Sequence, residues 1–165
     1  MRVDVPDGAH PVMHVWGAMV PGIGPAAVAL SQAVYDHSTL ELSTFEAARL
    51  RVAQLNGCVF CQDWRTERDG VVVPAEFDQW VTSWATTTEL DLRGRLAAEY
   101  ATRYVSDHHG LDDEFWLRMR QAFTDAEIVE ITMCLGSWLA FGRLNRVLGL
   151  DTACVLPSHP SSTQP

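Results

Sequence analysis

Between residues 25 and 150 apolar side chains recur every three or four positions, and that period predicts helices rather than strands. Pro25 suits a first helical position, and Ala26 to His37 follows with Val28, Leu30 and Val34 turned inward. Ser43-Thr44-Phe45-Glu46 has the form of a capping box, leading into Phe45, Ala48, Val52 and Leu55 on one face. Asn56-Gly57 favours the left-handed conformation that stops a helix. The next helix is expected from about Cys58 to Asp69-Gly70, and Pro74 opens another that carries Phe77, Trp80, Val81 and Trp84. Leu92, Leu96, Tyr100 and Tyr104 mark a helix from about Asp91. Asp112 or Asp113 caps a shorter one with Phe115, Met119 and Phe123 on one side. Thr124-Asp125-Ala126-Glu127 is a second capping box. It opens a long segment striped by Ile128, Ile131, Leu135 and Trp138, continued by Leu144, Val147 and Leu148, and ended by Gly149. Only Val71-Val72-Val73 resembles a strand, and it is too short to found a sheet. The expected fold is all-α, a compact bundle of about six to seven helices.

The ends read differently. Residues 1–24 hold three prolines and four glycines, with Pro25 directly after them, a density that excludes a long helix and predicts an extended arm. Val15, Trp16, Met19 and Val20 make that arm too apolar to stay in solvent, so it should lie on the body or on a partner subunit. Residues 25–150 form the expected helical domain, and the polar, proline-rich residues 151–165 read as a disordered tail.

Charge narrows the partners. The formal net charge is −9 and all twelve basic residues are arginine. Such a chain repels phosphate backbones and anionic lipid, so neither nucleic acid nor membrane is expected as a partner, and lysine-based Schiff-base chemistry is excluded. The first residues lack a basic segment followed by an apolar run, and Ile131 to Phe141 falls short of a membrane span; both point to a cytoplasmic protein. In that reducing compartment its cysteines are more often catalytic, metal-binding or buried than structurally bridged.

The motif with chemical content is Cys58-Val59-Phe60-Cys61. Two intervening residues at a helix start bring both sulfurs within disulfide reach and set Cys58 among unpaired backbone N–H groups, which favour the thiolate. A thiolate is the nucleophile in peroxide reduction and disulfide exchange, with the second cysteine as resolving partner. The same spacing also serves as half a zinc site or as an inert buried pair. A zinc site needs a second close pair, which His108-His109, Cys134 and Cys154 do not supply, so no metal or other cofactor is expected. Cys134 falls on the apolar stripe and reads as core, while Cys154 has no assigned role.

The run Glu46-Ala-Ala-Arg-Leu-Arg-Val-Ala-Gln-Leu-Asn-Gly-Cys58-Val-Phe-Cys61, with its glutamate twelve residues before the first cysteine, resembles the core of the carboxymuconolactone decarboxylase-like proteins. These include the alkylhydroperoxidase D group. Phe123 to Thr132, followed by Gly142-Arg143-Leu144-Asn145-Arg146, resembles that family's closing helix, so the likeness spans about Leu42 to Leu150. It implies an all-helical homo-oligomer and, at the site, a peroxidase-like thiol oxidoreductase built on Cys58, Cys61 and Glu46. Its partners would be a small hydroperoxide and a thiol reductant. In the alkylhydroperoxidase group the glutamate works with two histidines, one directly before the second cysteine and one four residues after it. Phe60 and Arg65 occupy those positions here.

Arg65, four residues after Cys61 and seven after Cys58, is expected on the same helical face as both and could hold a thiolate or an anionic substrate, although it cannot return a proton as histidine does. It could equally be a surface arginine paired with Asp63, Glu67 or Asp69. Glu46 is either a relay carboxylate or simply the third residue of the Ser43 capping box. His108-His109 could restore acid–base function if the fold brings them to the thiols, and otherwise form a solvated loop pair. Phe60 and Trp64 would line the site or fill core. Two further readings stand beside the oxidoreductase. One is a carboxymuconolactone-type decarboxylase using Arg49, Arg51 and Arg65. The other is a non-catalytic, ligand-binding oligomer that has lost its histidine relay.

Overall fold

A computed structural model describes residues 1–150 of the chain; the expected tail and Cys154 lie outside the described residues. The fold is all-α. Eight α-helices follow one another: α1 (Pro11–Met13), α2 (Gly24–Asp36), α3 (Leu42–Asn56), α4 (Val59–Asp63), α5 (Phe77–Thr82), α6 (Leu92–Ser106), α7 (Asp113–Ala122) and α8 (Asp125–Leu148). A π-helical turn, His14–Ala18, continues α1, and a 3-10 turn, His108–Gly110, links α6 to α7.

α3 is the central helix. It packs most extensively on α6 and then on α8. Alanines permit the close approach: Ala47, Ala48, Ala97, Ala98 and Ala101 are fully buried at these contacts, with Phe45, Leu50, Phe115, Ile131 and Leu135 filling the space around them. α7 is clamped to α6 by Arg118, whose Nη1 and Nη2 donate to Glu99 Oε2 and Oε1 at 2.8 and 2.7 Å.

Several helix ends follow local chemistry. Asp91 Oδ1 accepts from Gly94 N at 2.7 Å to start α6, and Asp112 Oδ1 accepts from Phe115 N at 2.8 Å to start α7. Thr124 and Glu127 form a reciprocal capping box at α8. Gly57 and Gly149, at φ 64° and 70°, end α3 and α8 in the left-handed region, where a side chain would be strained.

Glu127 also receives Arg93 Nη2 at 2.5 Å. That hydrogen bond, with a second from the Thr124 amide, pulls its carboxyl down to about 2. A depressed carboxylate stabilises the fold above the unfolded value, about 4.3, and loses that contribution as pH falls toward its folded value. Melting curves of the wild type and Glu127→Gln between pH 6 and 2.5 should therefore show a gap at pH 6 that begins to narrow near pH 4 and keeps shrinking down to pH 2.5.

Other expectations are corrected. The arm is not extended throughout: His10 caps α1, Pro11 occupies its first position, and burial of Val15 and Trp16 holds the π-helical turn. α2 buries Val34 but leaves Leu30 43% exposed, because the helix covers the bundle's edge rather than entering it. Val71-Val72-Val73 forms no strand; an isolated bridge between Arg68 and Val71 closes a turn through Asp69 and Gly70, both at positive φ. Leu144 and Val147 lie outside the core at 39% and 65% exposure, since α8 overruns the bundle after Trp138 and only its Phe141–Leu148 side meets the arm. No helix among the described residues is long and apolar enough to cross a membrane.

Candidate active site: a dithiol at the wall of an apolar cavity

Cys58 is the N-cap of α4, and its Sγ accepts the Cys61 N–H at 3.2 Å. The two sulfurs are joined as a disulfide, with the Cα atoms 5.3 Å apart. α4 has only five residues, so its dipole is weak, and this direct N–H contact is the principal stabilisation offered to a Cys58 thiolate. Cys58 is 4% exposed, and Cys61 is half-buried.

The helix then stops at Asp63, which corrects the expectation that it runs on to Asp69-Gly70. Trp64 turns extended (ψ 144°), its ring edge-on to Tyr35 with centroids 5.1 Å apart. Arg49 Nη2 takes the Trp64 carbonyl at 2.7 Å, and Nη1 takes that of Cys61 at 2.6 Å. The break carries Arg65 off the cysteines' face. Its guanidinium donates to the carbonyls of Gln62 and Trp64 instead of facing the sulfurs, and it pairs with none of Asp63, Glu67 or Asp69 by a salt bridge among the described residues.

Glu46 is not a helix cap. α3 begins at Leu42, with Glu41 at the N-cap position, so Ser43 already lies inside the helix and cannot cap it. Glu46 is fully buried. Its Oε1 and Oε2 accept Arg49 Nε and Nη2 at 2.6 and 2.9 Å, and Oε1 also accepts Thr66 Oγ1 at 2.5 Å. Both oxygens are thus committed to fixed donors. The carboxylate neutralises and orients Arg49, and Arg49 ties α3 to the C-terminal end of α4. In this geometry Glu46 and Arg49 position the dithiol.

The sulfurs open onto a cavity of about 370 Å³ between α2, α3, α4, the far half of α8 and the arm. Its wall is mainly apolar, including Val28, Val52, Phe60, Trp138 and Phe141, and the arm adds Val12, Met13 and Trp16. Trp16 is held by ring contact with Phe141 at 4.8 Å and by its Nε1 donating to Asn145 Oδ1 at 3.1 Å. Tyr35 also lines the cavity, and burial pushes its hydroxyl up to about 12, so it remains a proton-bearing donor at neutral pH. Asn56 faces the cavity with a buried Oδ1 that accepts no hydrogen bond among the described residues.

Of the residues singled out from sequence, Cys58, Cys61, Phe60 and Glu46's partner Arg49 meet at this cavity. Glu46 stands one layer behind it, Trp64 closes its floor through Tyr35, and Arg65 faces away. His108 and His109 stack on each other at 4.1 Å on the exposed 3-10 turn and are not part of the cavity wall. Cys134 is buried, and burial raises its thiol to about 12, keeping it unreactive. Sequence reasoning missed His10, Tyr35, Asn56 and Asn145 in the wall. Asn56 and Asn145 lay within the quoted motifs, but no local signal showed that the arm would bring His10 over the dithiol. Among the described residues no three His, Cys, Asp or Glu side chains converge on a potential metal position.

The helical bundle is an AhpD-like all-α fold. A solved structure from Agrobacterium tumefaciens, a protein of unknown function provisionally named as the antioxidant defence protein AhpD, matches with a TM-score of 0.67. The match has 24% identity and covers 81% of this chain and 92% of that one. The uncharacterized protein YdfG of Bacillus subtilis is 25% identical over 118 residues, 68% of this chain and 78% of its own length. No family model matches the chain. The likeness therefore reaches the AhpD-like fold, while the wider carboxymuconolactone decarboxylase-like grouping remains a resemblance of motif.

Proposed function

We propose that the protein is a peroxidase-like dithiol oxidoreductase that reduces a small organic hydroperoxide. The observation that carries this reading is the Cys58–Cys61 pair at the wall of an apolar cavity, with a backbone N–H aimed at Cys58 Sγ. In the reduced protein the Cys58 thiolate attacks the outer peroxide oxygen. An S–O bond forms, the O–O bond breaks, and the departing alkoxide becomes an alcohol on protonation. The Cys61 thiol then attacks the sulfenic sulfur, releasing water and leaving the disulfide. A small dithiol reductant resets the pair. The antioxidant assignment of the Agrobacterium neighbour supports the same reaction class.

The decarboxylase reading loses its basic groups in this geometry. Arg65 is turned to backbone carbonyls, and Arg51 donates to Thr102 and Gln54. Arg49 does line the cavity, but its charge is matched by Glu46. A carboxylate-bearing lactone would find no uncompensated cation among the lining residues. The protein is further proposed to work as a cytoplasmic homo-oligomer, for which Leu30 on α2 and the nearby Met133 on α8 offer exposed apolar surface.

The test is steady-state turnover of cumene hydroperoxide with dithiothreitol as reductant. The proposal expects cumyl alcohol to form at a rate proportional to protein concentration. Consumption no faster than with dithiothreitol alone would overturn it.

A further inference from the structure

The peroxide reaction needs a proton for the departing alkoxide, and the alkylhydroperoxidase-type positions for a histidine hold Phe60 and Arg65. Glu46 has both oxygens engaged, and Tyr35 holds its proton too tightly to cycle near neutral pH. The cavity wall nevertheless contains one imidazole, that of His10, contributed by the N-terminal arm. We propose that His10 is the acid–base group of the dithiol site, a catalytic residue delivered by the arm; this rests on the peroxidase-like reading above.

The geometry supports the role in three ways. His10 lines the same cavity as Cys58 and Cys61 and is at the same time exposed, so its ring connects the sulfurs' chamber to bulk water. Its Nδ1 accepts the Met13 N–H at 3.5 Å as the cap of α1, which in the neutral ring places the proton on Nε2. The arm itself is fixed by Trp16 against Phe141 and Asn145, and by Arg2 N donating to Leu148 O at 2.9 Å, so the ring is held in place rather than left on a loose terminus.

The titratable and charged groups sharing the wall are few. α2 brings Tyr35, α3 brings Arg49 with Glu46 behind it, and α4 brings the cysteines; α8 contributes no charged side chain to the wall. No carboxylate lines the cavity to compete for the role. In the balanced step, His10 first takes a second proton from solvent at Nδ1, giving up the Met13 N–H, and then passes its Nε2 proton to the alkoxide as the O–O bond breaks, so the alcohol leaves neutral. His10 then takes a proton back from solvent. The electron pair reaching the peroxide comes from the dithiol, and the second-step water takes its proton from Cys61.

The test is single-turnover disulfide formation by the reduced protein with cumene hydroperoxide, followed by quenched mass spectrometry from pH 5 to 8.5. His10→Asn preserves a good helix cap but cannot shuttle a proton. It should slow the reaction about 10²-fold, the lower range for a lost acid–base group, and flatten the pH profile. His10→Ala should be slow as well and should recover rate on addition of imidazole, whereas His14→Asn should match the wild type. A wild-type rate and profile in His10→Asn would overturn the assignment while leaving the peroxidase reading intact. A slow His10→Asn that keeps the wild-type profile, with no imidazole rescue in His10→Ala, would also overturn it, by showing a structural role. An inert wild type would overturn both.

Discussion

Cys58→Ser is expected to abolish hydroperoxide reduction, and Cys61→Ser to stop the reaction after one half-step. The asymmetry follows from the site. Cys58 Sγ receives the amide N–H of Cys61, so charge on that sulfur is stabilised at the start of α4, whereas among the described residues no corresponding backbone donor is aimed at Cys61. Removing Cys58 removes the nucleophile, and a serine hydroxyl at neutral pH is no substitute. Removing Cys61 leaves the nucleophile but no resolving thiol among the described residues, since Cys134 is buried and held protonated. One equivalent of peroxide should then convert Cys58 to a sulfenic acid that dimedone traps with a mass increment on the peptide containing Cys58. Turnover by Cys58→Ser, or an unmodified Cys58 in Cys61→Ser after peroxide, would reverse the assigned roles.

The second large effect is on stability. Glu46 and Arg49 are 0% and 3% exposed and form a two-pronged ion pair. Deleting one partner strands the other charge in the interior, a change that costs about 3–5 kcal/mol. Arg49→Met should therefore lower the melting midpoint by on the order of 10 °C for a chain of this size. It should also release the carbonyls of Cys61 and Trp64, loosening α4 and the dithiol with it. The double replacement Glu46→Leu/Arg49→Met should melt higher than either single variant, because no unpaired charge remains. Simple additivity of the two single losses would show that the pair does not act as a unit. If Glu46 were a proton relay instead of an anchor, Glu46→Gln would lose activity while keeping its melting midpoint; the geometry predicts that both fall together.

How much of this was legible in the sequence depends on the range of the interaction. The all-α class, the capping box at Thr124, the caps at Asp91 and Asp112 and the stops at Gly57 and Gly149 are local, and each is readable from a few neighbouring residues. The Ser43 capping box failed although its motif was good, because burial of Glu46 against Arg49 and Thr66 outweighs one exposed cap. Arg65 failed for a related reason. The helical period places it with the cysteines only if the helix continues, and Arg49, sixteen residues earlier, takes the Cys61 and Trp64 carbonyls at the C-terminal end of α4, where the helix stops at Asp63. His10 was invisible, since the arm's proline and glycine content describes how it bends and not what it covers. Of the apolar residues that announced packing, Val15 and Trp16 are buried, with Trp16 on Phe141, whereas Met19 and Val20 remain exposed.

The most direct test of the account is the rate and stoichiometry with which fully reduced protein closes the Cys58–Cys61 disulfide on mixing with one equivalent of cumene hydroperoxide at neutral pH. The account predicts one cumyl alcohol per disulfide, formed much faster than a free dithiol reacts, with a thiol titration midpoint below the free-thiol value of about 8.5. A disulfide forming only at the free-dithiol rate, with an unshifted midpoint, would contradict it and leave the cavity as a ligand-binding site without redox chemistry.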